Sequence, residues 1–166
     1  MQVLGLLGWS GSGKTHLLTR LLPLFTAQGL VVSTIKHAHH GFDLDQPGKD
    51  SFQHRAAGAR EVLIASGRRW ALMHENDGQE PELNELLPRL SPCDLVLVEG
   101  FKSAPHPKIE VFRHDQDRPP FWPGRADVVA VAADVALPEC PLPVLPLDDT
   151  AIIAQWCLDF LRGIAQ

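Results

Sequence analysis

Cysteine is scarce in this chain. There are three in 166 residues, Cys93, Cys140 and Cys157, and no CxxC pair joins any of them. An odd count without paired spacing argues against a disulfide framework and for a reducing compartment, so the cytoplasm is the expected location. Long apolar runs are absent too: the longest are strand-sized, well short of the roughly 20 residues a membrane span needs. Residues 3–7 pass straight into a glycine-rich loop with no cleavage site, which is not the pattern of a signal peptide. No basic run stands out, and 15 basic side chains face 20 acidic ones for a formal charge of −5. Nucleic acid therefore has no electrostatic footprint here. Internal repeats and low-complexity segments are also missing.

What is present has the balance of a soluble globular protein, with 45% hydrophobic and 21% charged residues. The length suits a single domain with its own core, expected to span residues 1–166. Short apolar, β-branched runs at 3–7, 30–36, 61–66, 70–73, 95–99, 108–112, 128–133 and 144–147 predict strands. Several are apolar at nearly every position, as in parallel strands covered on both faces. Helical patterns lie between some of them. Residues 15–28 carry Leu17, Leu18, Leu21, Leu22 and Phe25 on one face, stop at Gly29, and should bend at Pro23. Asp50 reads as the N-cap of a short helix ending near Gly58, 80–90 is amphipathic, and Asp148 or Asp149 should cap a last helix through Ile164. The runs at 61–66 and 70–73, separated around Gly67 and Arg68, predict a hairpin. Residues 103–124, rich in proline and charge, read mostly as a mobile loop. The alternation predicts a three-layer α/β fold of the P-loop NTPase type, its sheet mostly parallel with some antiparallel strands.

The chemistry concentrates in Gly8-Trp9-Ser10-Gly11-Ser12-Gly13-Lys14-Thr15, a full match to G-x-x-x-x-G-K-[ST]. It follows a strand and opens a helix, the context that gives the pattern meaning. Small residues let successive N–H groups turn inward on phosphate oxygens, and the helix adds its positive N-terminal end. Ser10, Gly11, Ser12 and Gly13 would line that cradle. Lys14 would place a point charge on the β- and γ-phosphates, and the Thr15 hydroxyl is a hard oxygen ligand for Mg²⁺. The acidic partner such a site needs is supplied by Glu99. In a parallel sheet, ligands sit beyond the carboxyl ends of the strands, which selects Glu99 over Asp94 at the opposite end of the same run.

The loop after the second strand carries Lys36, His37, His39, His40 and, further on, Asp50. It leaves the ligand edge of the sheet, so its basic residues are candidates to contact phosphate or a partner, and Asp50 is a candidate to serve Mg²⁺. Three histidines in four residues also suggest zinc, but no cysteine lies nearby to complete a ligand set. The guanine-reading N-K-x-D pattern is absent. Asp134, at the end of the run 128–133, is a candidate to accept the two adjacent N–H donors of guanine, with a plain turn residue as the competing reading. Residue chemistry leaves ATP and GTP open. No catalytic residue is assigned: no glutamine stands near the Glu99 strand end, no arginine is clearly delivered to the phosphates, and Arg55 and Arg60 are not placed.

Taken together, the P-loop, the segment from Lys36 to Ser51, Arg55-Ala56-Ala57-Gly58-Ala59, Arg69-Trp70-Ala71-Leu72 and Val98-Glu99-Gly100-Phe101-Lys102 resemble the MobB family, the molybdopterin-guanine dinucleotide biosynthesis adapter proteins. These blocks follow in order from Gly8 to Lys102. The resemblance implies a GTP-binding homodimer with slow GTP hydrolysis. Its partner would be the guanylyltransferase that attaches GMP to molybdopterin. It also implies that residues 10–15 hold phosphate, that Thr15 and Glu99 serve Mg²⁺, and that the loop 36–50 is the family-specific part of the site. A more distant resemblance to dethiobiotin synthetase rests on the P-loop, on Asp50 and on Val98-Glu99-Gly100. Two other activities fit the same residues: an ATP-dependent small-molecule ligase or kinase, and a GTPase metallochaperone with His37, His39 and His40 as ligands.

Overall fold

The computed structural model describes residues 1–38 and 41–164. In chain order its elements are β1 (Gln2–Leu7), α1 (Lys14–Ala27), β2 (Val32–Lys36), α2 (Asp50–Ala56), β3 (Glu61–Ala65), β4 (Trp70–His74), α3 (Leu83–Leu86), β5 (Leu95–Glu99), β6 (Lys108–Phe112), β7 (Val128–Ala133), β8 (Val144–Pro146) and α4 (Thr150–Ile164). They form two compact units. One is Met1–His37 with Leu87–Gln166; the other is Ala38–Leu86.

The first unit is a six-stranded sheet in the order β2-β5-β1-β6-β7-β8, parallel throughout. Side chains alternate across a strand, so Leu4 and Leu6, Leu95 and Leu97, Ile109 and Val111, and Ala130 and Ala132 share one face. That face carries α1 and α4 through Leu17, Leu21, Phe25, Ile153, Cys157 and Leu161, all in one buried cluster. Helix α1 runs on through Pro23, which sits on its exposed side. It closes with the Leu30 N–H on the Phe25 carbonyl and the Gly29 N–H on the Thr26 carbonyl, the paired bonds of a Schellman ending. Burial of the Cys157 thiol among these side chains pushes its pKa up to about 12.

The alternate positions of β6 hold Lys108 and Glu110, each 1% exposed. Buried charges are costly unless bonded, and both are. The Lys108 ammonium donates to the carbonyls of Ala104 and His106 and to Asp127 Oδ2 at 2.7 Å. The Glu110 carboxylate accepts the backbone N–H groups of Phe121 and Trp122 at 2.8 and 2.7 Å. Arg125 clasps Asp127 with two bonds and, with Lys108, holds its carboxyl well below the usual carboxylate range. Outside β6 and a 3-10 turn at His114–Gln116, the segment 103–124 is irregular, as its composition predicts, and its backbone is tied at several points to the buried charges of that strand.

The second unit contains α2, α3 and the antiparallel ribbon β3–β4. The expected hairpin is present, in register from Glu61↔His74 to Ala65↔Trp70. Its turn is closed by the Ser66 N–H on the Arg69 carbonyl, while the Ser66 hydroxyl accepts the Arg68 and Arg69 N–H groups. Arg55 on α2 pairs with Asp43 at 2.6 Å and Glu75 at 3.4 Å. Two helix boundaries differ from expectation. Lys49 occupies the N-cap position of α2 and makes no side-chain cap bond, so Asp50 is the first helical residue and not the cap. The helix expected over 80–90 is one turn, Leu83–Leu86, followed by a 3-10 turn, Leu87–Arg89. Pro88 accounts for the stop, since it lacks an N–H and disfavours helical backbone in the residue before it. Among the described residues no helix is long and apolar enough to cross a membrane.

Candidate phosphate-binding site

The site grows from the junction of β1 and α1. The connecting loop turns at Gly8, Gly11 and Gly13, whose φ values of 151°, 82° and 96° lie where a side chain would be strained. Gly13 is the N-cap of α1 and has no side chain to satisfy the first helical N–H groups, which leaves them for an anion. Ser12 is 1% exposed, and among the described residues its hydroxyl has no hydrogen-bond partner. The Lys14 ammonium folds back onto the carbonyls of Gly8 at 3.1 Å and Trp9 at 2.7 Å. Burial lowers its pKa; Glu99 opposes that shift, while Lys102 and Lys36 add to it.

On the β5 flank of the loop, the Thr15 hydroxyl donates to the Glu99 carboxylate, 2.8 Å from one oxygen and 2.9 Å from the other. The register places Lys36 opposite Glu99, and the Lys36 ammonium lies 4.0 Å from Glu99 Oε2. Asp94, at the far end of the same strand, instead accepts the Val31 N–H at 2.7 Å. The two carboxylates thus stand at opposite ends of β5, Glu99 beside Thr15 and Asp94 beside Val31. His37 donates its N–H to the Glu99 carbonyl at 2.8 Å, and its ring stacks on Phe101 with centroids 4.6 Å apart. Gly100 between them has φ 97°, and a Cβ there would run into the His37 Cβ, so only glycine fits this crossing.

The β6 flank holds what the sequence did not assign. Arg113, the residue after β6, donates from Nε to the Ser12 carbonyl at 3.2 Å. Gln116 Nε2 lies 3.4 Å from the Ser10 carbonyl. The sequence left arginine delivery to the phosphates unassigned, and Arg113 is the arginine that the structure brings to the backbone of this loop. The signal was available, because the rule that selected Glu99 at the end of its strand also selects Arg113 at the end of β6. Asp134, after β7, accepts the His114 N–H at 3.0 Å and stands 3.6 Å from Arg113. Trp9 is held outside the loop by Phe121, with centroids 4.6 Å apart, by Lys102 and Arg118 over its ring, and by its own N–H on the Pro119 carbonyl. A cavity of about 300 Å³ opens between Trp9, Ser10, Gln116 and Arg118.

Asp50 belongs to the second unit, whereas the loop, Glu99, Lys36 and His37 belong to the first. His39 and His40 lie outside the described residues. Among the described residues no cluster of three or more histidine, cysteine or acidic side chains is arranged to hold a metal by itself.

Comparison with known proteins adds to this geometry. The family model of MobB, molybdopterin guanine dinucleotide synthesis protein B, matches residues 3–134. The molybdopterin-guanine dinucleotide biosynthesis adapter protein of Escherichia coli K12 is 41% identical over 164 residues, 96% of this chain and 93% of that protein. A crystal structure of molybdopterin-guanine biosynthesis protein B superposes with a TM-score of 0.77 at 31% identity, covering 96% of this chain and 99% of the other. The structure of a MobB homologue from Bacillus stearothermophilus gives 0.74 at 25% identity, with 98% and 99% covered.

Proposed function

The chain belongs to the MobB family, whose fold is of the nucleotide-binding P-loop kind, and from that membership and the site we propose a GTP-binding adapter of molybdenum cofactor biosynthesis. In this reading it assists the guanylyltransferase that joins GMP to molybdopterin, and it works in the cytoplasm as one nucleotide-binding domain over residues 1–166. The single observation that carries the nucleotide reading is the contact between Thr15 and Glu99. A hydroxyl from the P-loop helix and a carboxylate from a strand end converge beside the open N-terminus of α1. Both are hard oxygen donors, the kind Mg²⁺ takes, and together they would hold it. Bound there, Mg²⁺ would neutralise charge on the terminal phosphates.

The remaining residues have distinct tasks. The backbone of residues 10–15 and the Ser12 hydroxyl bind phosphate oxygens. Lys14 exchanges its present carbonyl contacts for the β- and γ-phosphates. Lys36, on the same flank as Glu99, offers a second charge to the terminal phosphate. His37, His39 and His40 belong to the segment after β2, and Asp50 opens α2 beyond it; this stretch is the part through which a nucleotide-bound state would be presented to the partner enzyme. Homodimerisation is supported by the β3–β4 ribbon, since a lone two-stranded ribbon is marginal in water and this one carries exposed Leu63, Trp70 and Leu72.

Calorimetric titration with GTP, GDP and ATP, with and without Mg²⁺, tests the first half. GTP should bind in preference to ATP, and Mg²⁺ should strengthen GTP. Production of the guanine dinucleotide by the guanylyltransferase, with and without this chain, tests the second. Slow turnover of GTP by the chain alone is expected, below the roughly 1 s⁻¹ typical of dedicated enzymes. No nucleotide binding, or no effect on dinucleotide yield, would overturn the proposal.

A further inference from the structure

The residues around the phosphate loop divide by flank. Thr15, Glu99 and Lys36 stand on the side of β5, the neighbour of β1 that supplies the cation and terminal-phosphate chemistry. β6 is the neighbour on the opposite side, and its next residue, Arg113, reaches the same loop from there. Its guanidinium lies 3.7 Å from where a side chain on Gly13 would begin. Nε is committed to the Ser12 carbonyl. Among the described residues the two terminal nitrogens make no hydrogen bond, and the nearest charge to them is Asp134 at 3.6 Å. The side chain is one-third exposed. An arginine offers five donors in a planar fork that matches two phosphate oxygens at once. Here one donor anchors the fork to the loop, and one terminal nitrogen faces Asp134 at 3.6 Å.

We propose that Arg113 is a nucleotide-binding residue that grips the α- and β-phosphates from the β6 flank, with Asp134 as the positioning residue that sets its fork. The assignment to the inner phosphates follows from the flank. The terminal phosphate lies with Thr15 and Glu99, so the nucleotide must run across the loop toward β6 and β7. Asp134 is correspondingly engaged in the protein: Oδ1 takes the His114 N–H, and Oδ2 faces Arg113. Its carboxylate orients a phosphate ligand and does not read guanine. Gln116, on the Ser10 carbonyl, braces the outer curve of the same loop. The inference rests on the reading that this loop binds a nucleoside triphosphate.

The test measures GTP and GDP affinity of the full chain by calorimetry, for wild type, Arg113→Ala, Arg113→Lys and Asp134→Asn. Loss of a bidentate charged contact should weaken GTP and GDP alike by about tenfold or more in Arg113→Ala. Arg113→Lys should fall between the two, because charge remains and the fork does not. Added guanidinium ion should restore part of the affinity of Arg113→Ala, which a merely structural role would not allow. Asp134→Asn should weaken GTP and inosine triphosphate equally, by about twofold to fivefold, as expected for a partly exposed ion pair. Unchanged affinity in Arg113→Ala, or a loss confined to GTP, overturns the phosphate assignment. A lower melting temperature of nucleotide-free Arg113→Ala without guanidinium rescue reduces the residue to a loop brace. A selective loss of GTP over inosine triphosphate in Asp134→Asn returns Asp134 to base reading. If wild type binds no nucleotide at all, the parent reading fails and takes this one with it.

Discussion

The two sheets of this protein are built on opposite principles. In the six-stranded sheet, β5 has Leu95, Val96, Leu97 and Val98 all at 0–1% exposure, and even the charges on β6 are sealed in. In the two-stranded ribbon, Leu63, Trp70 and Leu72 are 59%, 63% and 45% exposed. Burial on both faces gives the glycine-rich loop after β1 a tightly packed frame. Exposure leaves the ribbon with apolar surface that no described residue covers. The first arrangement suits precise ligand geometry, and the second suits association.

The largest effects should come from the sealed sheet. Lys108→Met removes the donor for the carbonyls of Ala104 and His106 and one partner of Asp127. Breaking a buried charged network in this way costs about 3–5 kcal/mol. Leu97→Ala opens a cavity in the helix-covered face and should cost about 2–5 kcal/mol. Chemical denaturation measures both. Losses below about 1 kcal/mol would mean that the sheet tolerates openings and that its likeness to a rigid frame is false.

The two ends of β5 sharpen the contrast within that sheet. Glu99→Gln should leave Mg²⁺-free nucleotide binding nearly intact and weaken Mg²⁺-dependent GTP binding by about tenfold, the scale of one charge-assisted contact. Asp94→Asn should leave nucleotide binding alone and cost about 1 kcal/mol of stability through its bond to Val31. Calorimetry and denaturation on the same samples separate the two. A nucleotide effect at Asp94 would reverse the assigned edge.

A pH effect should follow from the same sealing. His106 is buried, and burial chiefly, with Lys108 adding, pushes its pKa down to about 4; Asp127 opposes them. In the unfolded chain a histidine takes its proton near pH 6.5. Between about 6.5 and 4 the unfolded state therefore binds more protons, so stability falls as pH falls through that window. Above it the group contributes no slope. Denaturation midpoints at pH 7.5 and 5.5 should differ in wild type and converge in His106→Asn. Equal midpoints in wild type would show that His106 titrates normally.

The legible parts of this fold were those whose signal is local. The apolar runs fixed the strands, Gly67 and Arg68 marked the hairpin, and the P-loop string announced its own turn. Glu99 was singled out because a parallel strand has a known ligand end, and the structure brings it to Thr15. What stayed hidden depends on register and cover. Lys108-Ile109-Glu110-Val111-Phe112 alternates like a half-exposed strand, and nothing in it says that the backbone of 104–122 will come to lie on its charges. The strand-end rule picks out Arg113 as it does Glu99, but bringing it to the loop also required knowing that β6 is the neighbour of β1. The overlong helix at 80–90 and the cap assigned to Asp50 were periodicity carried past Pro88 and one residue off the helix start.

The smallest expected change in stability belongs to the ribbon, and it carries the largest consequence for assembly. Paired residues of an antiparallel ribbon share a face, so Leu63 with Leu72 and Ala65 with Trp70 make one apolar stripe. Glu61 and His74, 2.7 Å apart, close it at the end away from the turn. Replacing exposed apolar side chains by polar ones normally changes stability by less than about 0.5 kcal/mol. If a second copy covers this stripe, Leu63→Ser combined with Trp70→Ser should instead convert a dimer into a monomer. The monomer should keep its helical and sheet signal. Sedimentation velocity at micromolar concentration reads the mass directly, and denaturation must be compared below the dissociation constant of the dimer, because association adds its own stability. A variant that stays dimeric places the interface elsewhere. A wild-type chain that is monomeric removes the homodimer from the proposal, and the stripe would then remain for the partner enzyme.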